Sequence, residues 1–332
     1  MHFSGIGVIG SGSFLPEQVL TTEDLCRRLG TDPAWVEENL GVYQRHVAGP
    51  DENTATMCHA AAQDALDRAS VTPDEIDLLV LATATPNRAA PSTAALVHER
   101  LGLTGCPALD LNAVCAGSVY ALTTAAGMLA GGAGRTALVV AGDTFSRITD
   151  YTSRDAVYFG DGAASVVLRA DKDSSHILHA RLGAGGTNRL GFTVPAGGSE
   201  TPASPETVQA GLHYFQMEGR DVYSNATNIF PGFAKDFLSD AGVAPDAVDH
   251  FVFHQASKRL LSRVAEGVGV PNERVASNVA RVGNTASASA LLLLDSLVTE
   301  GSVKTGDLIL MGAFGAGWVW GASLFRWEGG QA

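Results

Sequence analysis

Residues 71–85 read VTPDEIDLLVLATAT and residues 243–257 read VAPDAVDHFVFHQAS. The shared pattern is Val-x-Pro-Asp-x, an apolar β-branched residue, then Asp. The offset that carries Asp77 to Asp249 also carries Asp64 to Asp236, Leu66 to Leu238 and Ala69 to Ala241. Further on, ALVVAGD (137–143) is answered almost in register by LILMGAF (308–314). A repeat on this scale signals a duplicated structural unit, here one α/β unit present twice, over 1–172 and 173–332. Within each unit a helix ends where proline cannot continue it. A short apolar strand follows (Leu78–Ala82; Phe251–Phe253), then a helix (Ser92–Leu101; Lys258–Val268). Next come a strand (Ala108–Leu111; Arg274–Ser277), a helix of small residues (Ala116–Ala130; Ala286–Glu300) and a further apolar strand. Alternating strands and helices predict largely parallel sheets covered by helices. The two small-residue helices fit between sheets, which gives a five-layer α/β/α/β/α arrangement.

Composition agrees with a large buried core and excludes several classes of function. The chain has 332 residues, 45% hydrophobic and 17% charged, with 38 glycines and a formal charge of −13. An acidic balance disfavours nucleic acid and anionic membrane surfaces, which reward clustered Lys and Arg. No apolar run is long enough to span a bilayer. Four cysteines (Cys26, Cys58, Cys106, Cys115) show neither disulfide-framework nor zinc spacing, and a reducing cytoplasm is expected. The N-terminal GVIGSGSFLP resembles a dinucleotide loop only faintly, because Pro16 falls where the helix should run.

The chemistry-bearing residues gather at the strand ends. Cys115, in DLNAVCAGSVYALTTAAG (110–127), enters the first small-residue helix. It is either a small buried hydrophobe or a nucleophile activated by exposed N–H groups at a helix start. Asn284, in VGNTASASALLLL, enters the matching helix, and His254 follows the strand of the second repeat. A lone His is usually a satisfied core group, but this one ends a strand on the carboxyl edge, where open α/β sheets bind ligands. Pseudo-two-fold symmetry would bring the three together.

These residues resemble the β-ketoacyl–acyl carrier protein synthase III family of the thiolase-like superfamily. The segments that carry the resemblance are NAVCAGSVYAL (112–122), VYFGDGAASVVL (157–168), VFHQAS (252–257), GNTASAS (283–289) and GAFGAGWVWGASLFRW (312–327). They occur in order over essentially the whole chain. The resemblance implies a thiolase-like fold, a homodimer, thioesters of coenzyme A or acyl carrier protein as substrates, and neither metal nor redox cofactor. It implies a catalytic set of Cys115, His254 and Asn284, with the backbone N–H groups of Cys115 and Ala316 as oxyanion hole. Cys115 would take an acyl group, and His254 and Asn284 would stabilise the enolate left when a malonyl thioester loses CO2. Trp35 and Arg154 match residues that sandwich adenine, and Phe314 belongs to the substrate chamber.

The departures are informative. Asn39 replaces an arginine, Ser257 an asparagine, and Ala90, in PNRAAPS (86–92), a bulky aromatic that reaches across the dimer to limit the acyl pocket. A wider pocket and a specialised role, as in polyketide or fatty-acid starter chemistry, are the expectation. Lys258, Arg259 and Arg263 follow His254 on one helix and form either a carrier-protein docking patch or a solvated face. The glycine- and proline-rich stretch 183–211 either caps the site or is a surface loop. Two alternatives share this sequence: an enzyme passing the Cys-bound acyl group to a hydroxyl, amine or β-ketoacyl nucleophile, and a non-catalytic partner subunit. A degradative thiolase lacks support, since no cysteine follows Cys115, and residues 83–92 hold no carboxylate for a hydroxymethylglutaryl-type synthase.

Overall fold

The computed structural model describes residues 1–171 and 177–330. In chain order its main strands are β1 (Ile6–Phe14), β2 (Leu78–Ala82), β3 (Ala108–Leu111), β4 (Thr136–Asp143), β5 (Gly162–Ala170), β6 (Ile177–Ala184), β7 (His250–Phe253), β8 (Leu308–Gly315) and β9 (Val319–Arg326). Its main helices are α1 (Thr54–Ala69), α2 (Thr93–Arg100), α3 (Gly117–Ala130), α4 (Gly219–Asp240), α5 (Lys258–Val268) and α6 (Ser289–Thr299). One sheet has the order β1-β5-β4-β2-β3, and the other β6-β9-β8-β7. In both, the repeat strand pairs in parallel with its neighbour (β2 with β4, β7 with β8), and the next two pairings are antiparallel. The expected junction between residues 172 and 173 lies outside the described residues.

Each strand of the repeat is buried on both faces, which is why it reads as a continuous apolar run. Leu79 and Leu81 of β2 point with Leu138 and Val140 of β4 toward α1 and α2. Leu78, Val80, Ala82 and Val139 point the other way, against α3 and α6. The second sheet does the same: Val252, Ile309 and Met311 join the central layer, while Phe251, Phe253 and Leu310 face α4 and α5. The layers are therefore α1/α2, sheet, α3/α6, sheet, α4/α5. Small residues permit the central contact: a Cβ on Gly117 would stand 2.8 Å from Ser287 Cβ and 2.9 Å from Ala82 Cβ.

The repeat motif itself has a mechanical cause. Pro73 and Pro245 each open a 3-10 turn, which delivers the chain to the following strand. The Asp77 carboxylate then accepts from the backbone N–H of Thr136 at 3.0 Å, and Asp249 from that of Leu308 at 2.8 Å. Each aspartate's own N–H bonds back to the same residue's carbonyl, at 2.9 Å in both cases. Both thus staple the first residue of the neighbouring strand. The expected strand Arg274–Ser277 is not formed. A 3-10 turn over Asn272–Arg274 leaves a single parallel bridge, Phe251 to Val275, where the fifth strand would lie. The helix starts also differ, because 3-10 turns over Val114–Ala116 and Ala286–Ala288 precede α3 and α6.

Asp77→Ala leaves the N–H groups of Arg135 and Thr136 without their acceptor. It is expected to lower unfolding free energy by about 1–2 kcal/mol, read as a shifted denaturant midpoint at unchanged slope.

Candidate active site

Asn112 and Cys115 sit on the turn between β3 and α3, and the turn is built by its own side chain. Asn112 Oδ1 accepts from Val114 N at 3.1 Å, and Val114 takes a positive φ of 44°, so Cys115 is turned out at the head of α3. The turn before α6 repeats this: Asn284 Oδ1 accepts from Ala286 N at 2.9 Å, and Ala286 has a φ of 45°. Positional equivalence therefore pairs Cys115 with Ser287 and Asn112 with Asn284. Cys115 and Asn284 stand at matching helix entrances, as expected, but three positions apart within the repeat. The signal was present, since the offset linking Asp77 to Asn-bearing turns is common to both.

The three candidate residues line one cavity of about 350 Å³, together with Val114, Phe159, Phe192, Phe314, Gly315, Ala316 and Trp318. Cys115 is partly exposed to it, and His254 and Asn284 are buried. Asn284 is held on both sides of its backbone: its N–H donates to Tyr158 O, and its carbonyl accepts from Gly160 N. This explains the VYFGDGA segment beside it. Because Asn284 Oδ1 is already bonded to Ala286 N, its Nδ2 is the group left for the cavity. The same logic fixes His254. Its Nδ1 lies 2.5 Å from Ser289 Oγ, and that oxygen accepts from Gln255 N at 3.4 Å. Among the described residues the Ser289 hydroxyl has no other acceptor; when it donates to Nδ1, the imidazole proton sits on Nε2. In that tautomer two N–H donors, His254 Nε2 and Asn284 Nδ2, share the cavity with Cys115.

Burial sets the resting charges. It pushes the Cys115 thiol well above the usual thiol range; the negative charge of Asp143 adds to this, and the cysteine's own N–H opposes it. Burial also pulls His254 down to about 3, so its imidazole is neutral at physiological pH. The resting pair is a thiol and an imidazole rather than a thiolate and an imidazolium.

Gly315 closes the site on the cysteine's side. A Cβ there would lie 2.6 Å from Ala113 O and 3.1 Å from Cys115 N. Its absence lets the β8 end approach the cysteine turn and keeps the Cys115 N–H clear. Ala316 follows directly and lines the cavity.

The other expected residues divide. Trp35, Asn39, Ser257, Arg259 and Phe314 line the same cavity. Trp35 and Arg154 share an adjoining outer cavity of about 850 Å³, and Trp35 and Tyr158 line both. Asn39 turns its amide back onto Trp35 O at 2.9 Å. Ser257 caps α5 by accepting from Leu260 N, so the helix after His254 keeps a side-chain cap. Arg259 lies over the Tyr223 ring, 4.8 Å from its centroid. Lys258 stands at the helix start, with its N–H on Leu40 O, whereas Arg263 is paired with Glu266 at 2.7 Å and does not line the cavity. Ala90 lies in an exposed loop and is not part of the cavity wall formed by this chain. Sequence reasoning missed Phe192, Met217, Tyr223 and Arg220. Phe192 and Met217 reach the cavity from two paired two-residue strands, Phe192–Thr193 and Gln216–Met217, and Arg220 and Tyr223 from the start of α4, where neither periodicity nor motif marks them.

Fold and site define a thiolase-fold acyltransferase, and comparison with known proteins narrows this. Residues 109–186 match the 3-oxoacyl-[acyl-carrier-protein] synthase III model, and residues 238–327 match its C-terminal companion. The chain is 43% identical to a β-ketoacyl-[acyl-carrier-protein] synthase III of Erythrobacter litoralis, covering 96% of this chain and 98% of the relative. It is 41% identical to synthase III 3 of Streptomyces coelicolor, covering 96% of each. Among solved structures, the Pseudomonas aeruginosa synthase III superposes with a TM-score of 0.89 at 37% identity, covering 98% of both chains. The priming β-ketosynthase of the R1128 polyketide pathway gives 0.89 at 31%, covering 98% of this chain and 97% of that one. The chain belongs to the β-ketoacyl–acyl carrier protein synthase III family.

A neutral thiol beside a neutral imidazole makes a specific pH prediction. Alkylation at Cys115 by iodoacetamide, followed by peptide mass, is expected to rise continuously from neutral into alkaline pH, because only the thiolate reacts. An inflection near the ordinary histidine range that disappears in His254→Ala would show an ion pair instead.

Proposed function

We propose that this chain joins an acyl group to a malonyl thioester by decarboxylative Claisen condensation, with Cys115, His254 and Asn284 as its catalytic residues. The observation that carries this reading is that a neutral imidazole held at Nδ1 by Ser289 and an amide held at Oδ1 by Ala286 N share one cavity with the thiol, which leaves His254 Nε2 and Asn284 Nδ2 as its donors. First, the Cys115 thiol loses its proton and its sulfur attacks the acyl thioester, expelling the donor thiol and leaving an acyl-enzyme. The carbonyl oxygen, which gains negative charge, is received by the N–H groups of Cys115 and Ala316. A malonyl thioester then loses CO2, and the electron pair of the broken C–C bond becomes an enolate. Its oxygen is stabilised by the two donors, whose hydrogen bonds strengthen as charge develops. The enolate carbon attacks the acyl carbonyl, the Cys115 sulfur leaves, and a β-ketoacyl thioester is released. Donors that are never charged suit this task, since they do not stabilise the starting carboxylate by ion pairing.

The remaining assignments belong to the same proposal. Trp35 and Arg154 hold the nucleotide end of coenzyme A in the outer cavity, with Asn39 at the passage between the two. Arg259, at the cavity mouth, meets an acidic acyl carrier protein, and Lys258 supports it. Arg263, neutralised by Glu266, contributes less. A homodimer, paired along the exposed edge of β3, would bring the Ala90 loop to a neighbouring acyl pocket. All four cysteines are free, in keeping with a reducing cytoplasm, and among the described residues no helix is long and apolar enough to cross a membrane. The two-unit division, 1–172 and 173–332, completes the reading.

Intact-protein mass after mixing with acyl-coenzyme A is expected to show one adduct on the wild type and none on Cys115→Ala. His254→Ala and Asn284→Ala should each lower CO2 release from a malonyl thioester by about 100-fold while adducts still form. An adduct that survives Cys115→Ala, or CO2 release that the other two variants leave intact, would overturn the assignment. Run with acetyl and bulkier acyl donors, the mass assay also tests the wide pocket, which a strict acetyl preference would rule out. Arg259→Glu is expected to slow transfer with carrier-bound donors roughly tenfold more than with coenzyme A donors; equal slowing removes the docking role.

A further inference from the structure

β4 and β8 are equivalent strands, and they end in very different residues, Asp143 and Gly315. Gly315 lies against the Cys115 turn and brings nothing to it. Asp143 lies against the Ser287 turn and fills it. Its Oδ2 accepts from Ser287 N at 2.9 Å and from Ser287 Oγ at 2.6 Å. Its Oδ1 accepts from Thr83 Oγ1 at 3.0 Å, Ala84 N at 2.8 Å, Thr85 N at 3.1 Å and Thr85 Oγ1 at 2.8 Å. The carboxyl is completely buried. Burial raises the Asp143 carboxyl, and the bonds from Ser287, Ala84 and Thr85 oppose that rise; three backbone N–H groups and three hydroxyls aimed at its two oxygens favour the carboxylate form. The N–H of Ser287, equivalent to the N–H of Cys115, is thus occupied by an anion built into the fold.

We propose that Asp143 is a positioning residue for the decarboxylation half of the reaction, acting as a permanent anion that locks the Ser287 turn. That turn carries both donors' supports. Asn284 is fixed by its bond to Ala286 N, one residue before Ser287, and His254 is fixed by Ser289, two residues after it. The lock reaches the first sheet through Thr83, Ala84 and Thr85, so the donors from one sheet are registered against the cysteine turn of the other. Asp143 touches no substrate in this scheme. It also faces the nucleophile electrostatically: its charge raises the Cys115 thiol and the Cys58 thiol of α1 on its other side. His254, in the cysteine's cavity, is neutral; Tyr158, Arg220, Tyr223 and Arg259 also line that cavity. The inference rests on the condensation reading above.

Asp143→Asn tests it in the full-length protein, because the two half-reactions are expected to move in opposite directions. The amide keeps an oxygen for Thr83–Thr85 but turns N–H toward Ser287 N, so the donor turn is released. CO2 release from a malonyl thioester should fall roughly tenfold or more. Loss of the negative charge should at the same time move the pH dependence of Cys115 alkylation to lower pH, which raises its rate at neutral pH. A purely structural role would lower both. Ser287→Ala, which removes the hydroxyl's contacts with Asp143 Oδ2 and Ala82 O and no charge, should reduce CO2 release severalfold and leave the alkylation profile in place; it carries the test alone if Asp143→Asn is insoluble. Parallel loss of both half-reactions in Asp143→Asn, an unshifted alkylation profile, or full CO2 release from Ser287→Ala overturns the inference. A wild type that forms no acyl adduct overturns the condensation reading instead, and leaves the alkylation comparison to decide the electrostatic part.

Discussion

A Cβ placed on Gly117 would meet those of Ser287 and Ala82 at under 3 Å, so the two central helices begin in direct contact. That closeness is the constraint on which the rest is built. Real Cβ atoms do not approach so near, and no larger residue at 117 could keep the spacing. Because α3 and α6 start side by side, the turns that precede them bring their side chains to one place. A site assembled from Cys115, His254 and Asn284, residues far apart in the chain, then needs no flexible loop to close it. Each member stands at the end of an element buried on all sides, which is the rigidity a pre-organised site requires.

The same burial decides the charge state of the site. Away from water, neither a thiolate nor an imidazolium is favoured, and a resting ion pair between them would have to repay the loss of hydration of both. The cavity holds neutral groups whose orientation is fixed from behind. Ser289 holds His254, and the Asn284 turn holds its own side chain by donating to it. Donors arranged in this way cost no reorganisation when negative charge appears on a bound oxygen.

The sequence made the fold readable because the repeat residues do backbone work. Asp77 and Asp249 staple equivalent strands, and an aspartate in that role leaves a mark that substitution does not easily erase. The apolar runs were legible for a related reason: strands covered on both faces need apolar residues at every position. The strand expected at Arg274–Ser277 failed because its neighbours supply only one bridge, and an extended segment without a ladder leaves the same sequence pattern as one with it. That Cys115, His254 and Asn284 share one cavity was readable from motif and resemblance together. Phe192 and Met217 were not, since a side chain that reaches a cavity from a two-residue strand has no period to betray it. Arg263, expected in either a docking patch or a solvated face, is paired with Glu266 one helical turn on.

Duplication makes the remaining asymmetry meaningful. The two turns agree in their Asn, in their positive φ and in the contact they make, and they differ in what the equivalent strand end sets against them. On one side the strand ends in glycine, which sets no side chain against the backbone N–H at the turn. On the other it ends in aspartate, and the corresponding N–H is already satisfied. A turn that must receive developing charge has to be left partly unbonded at rest, which is costly for a buried donor. A turn that must only hold other groups still gains from being saturated. One chain contains both arrangements at equivalent positions, so the different bonding of the two turns follows from a single choice of residue at the end of two strands.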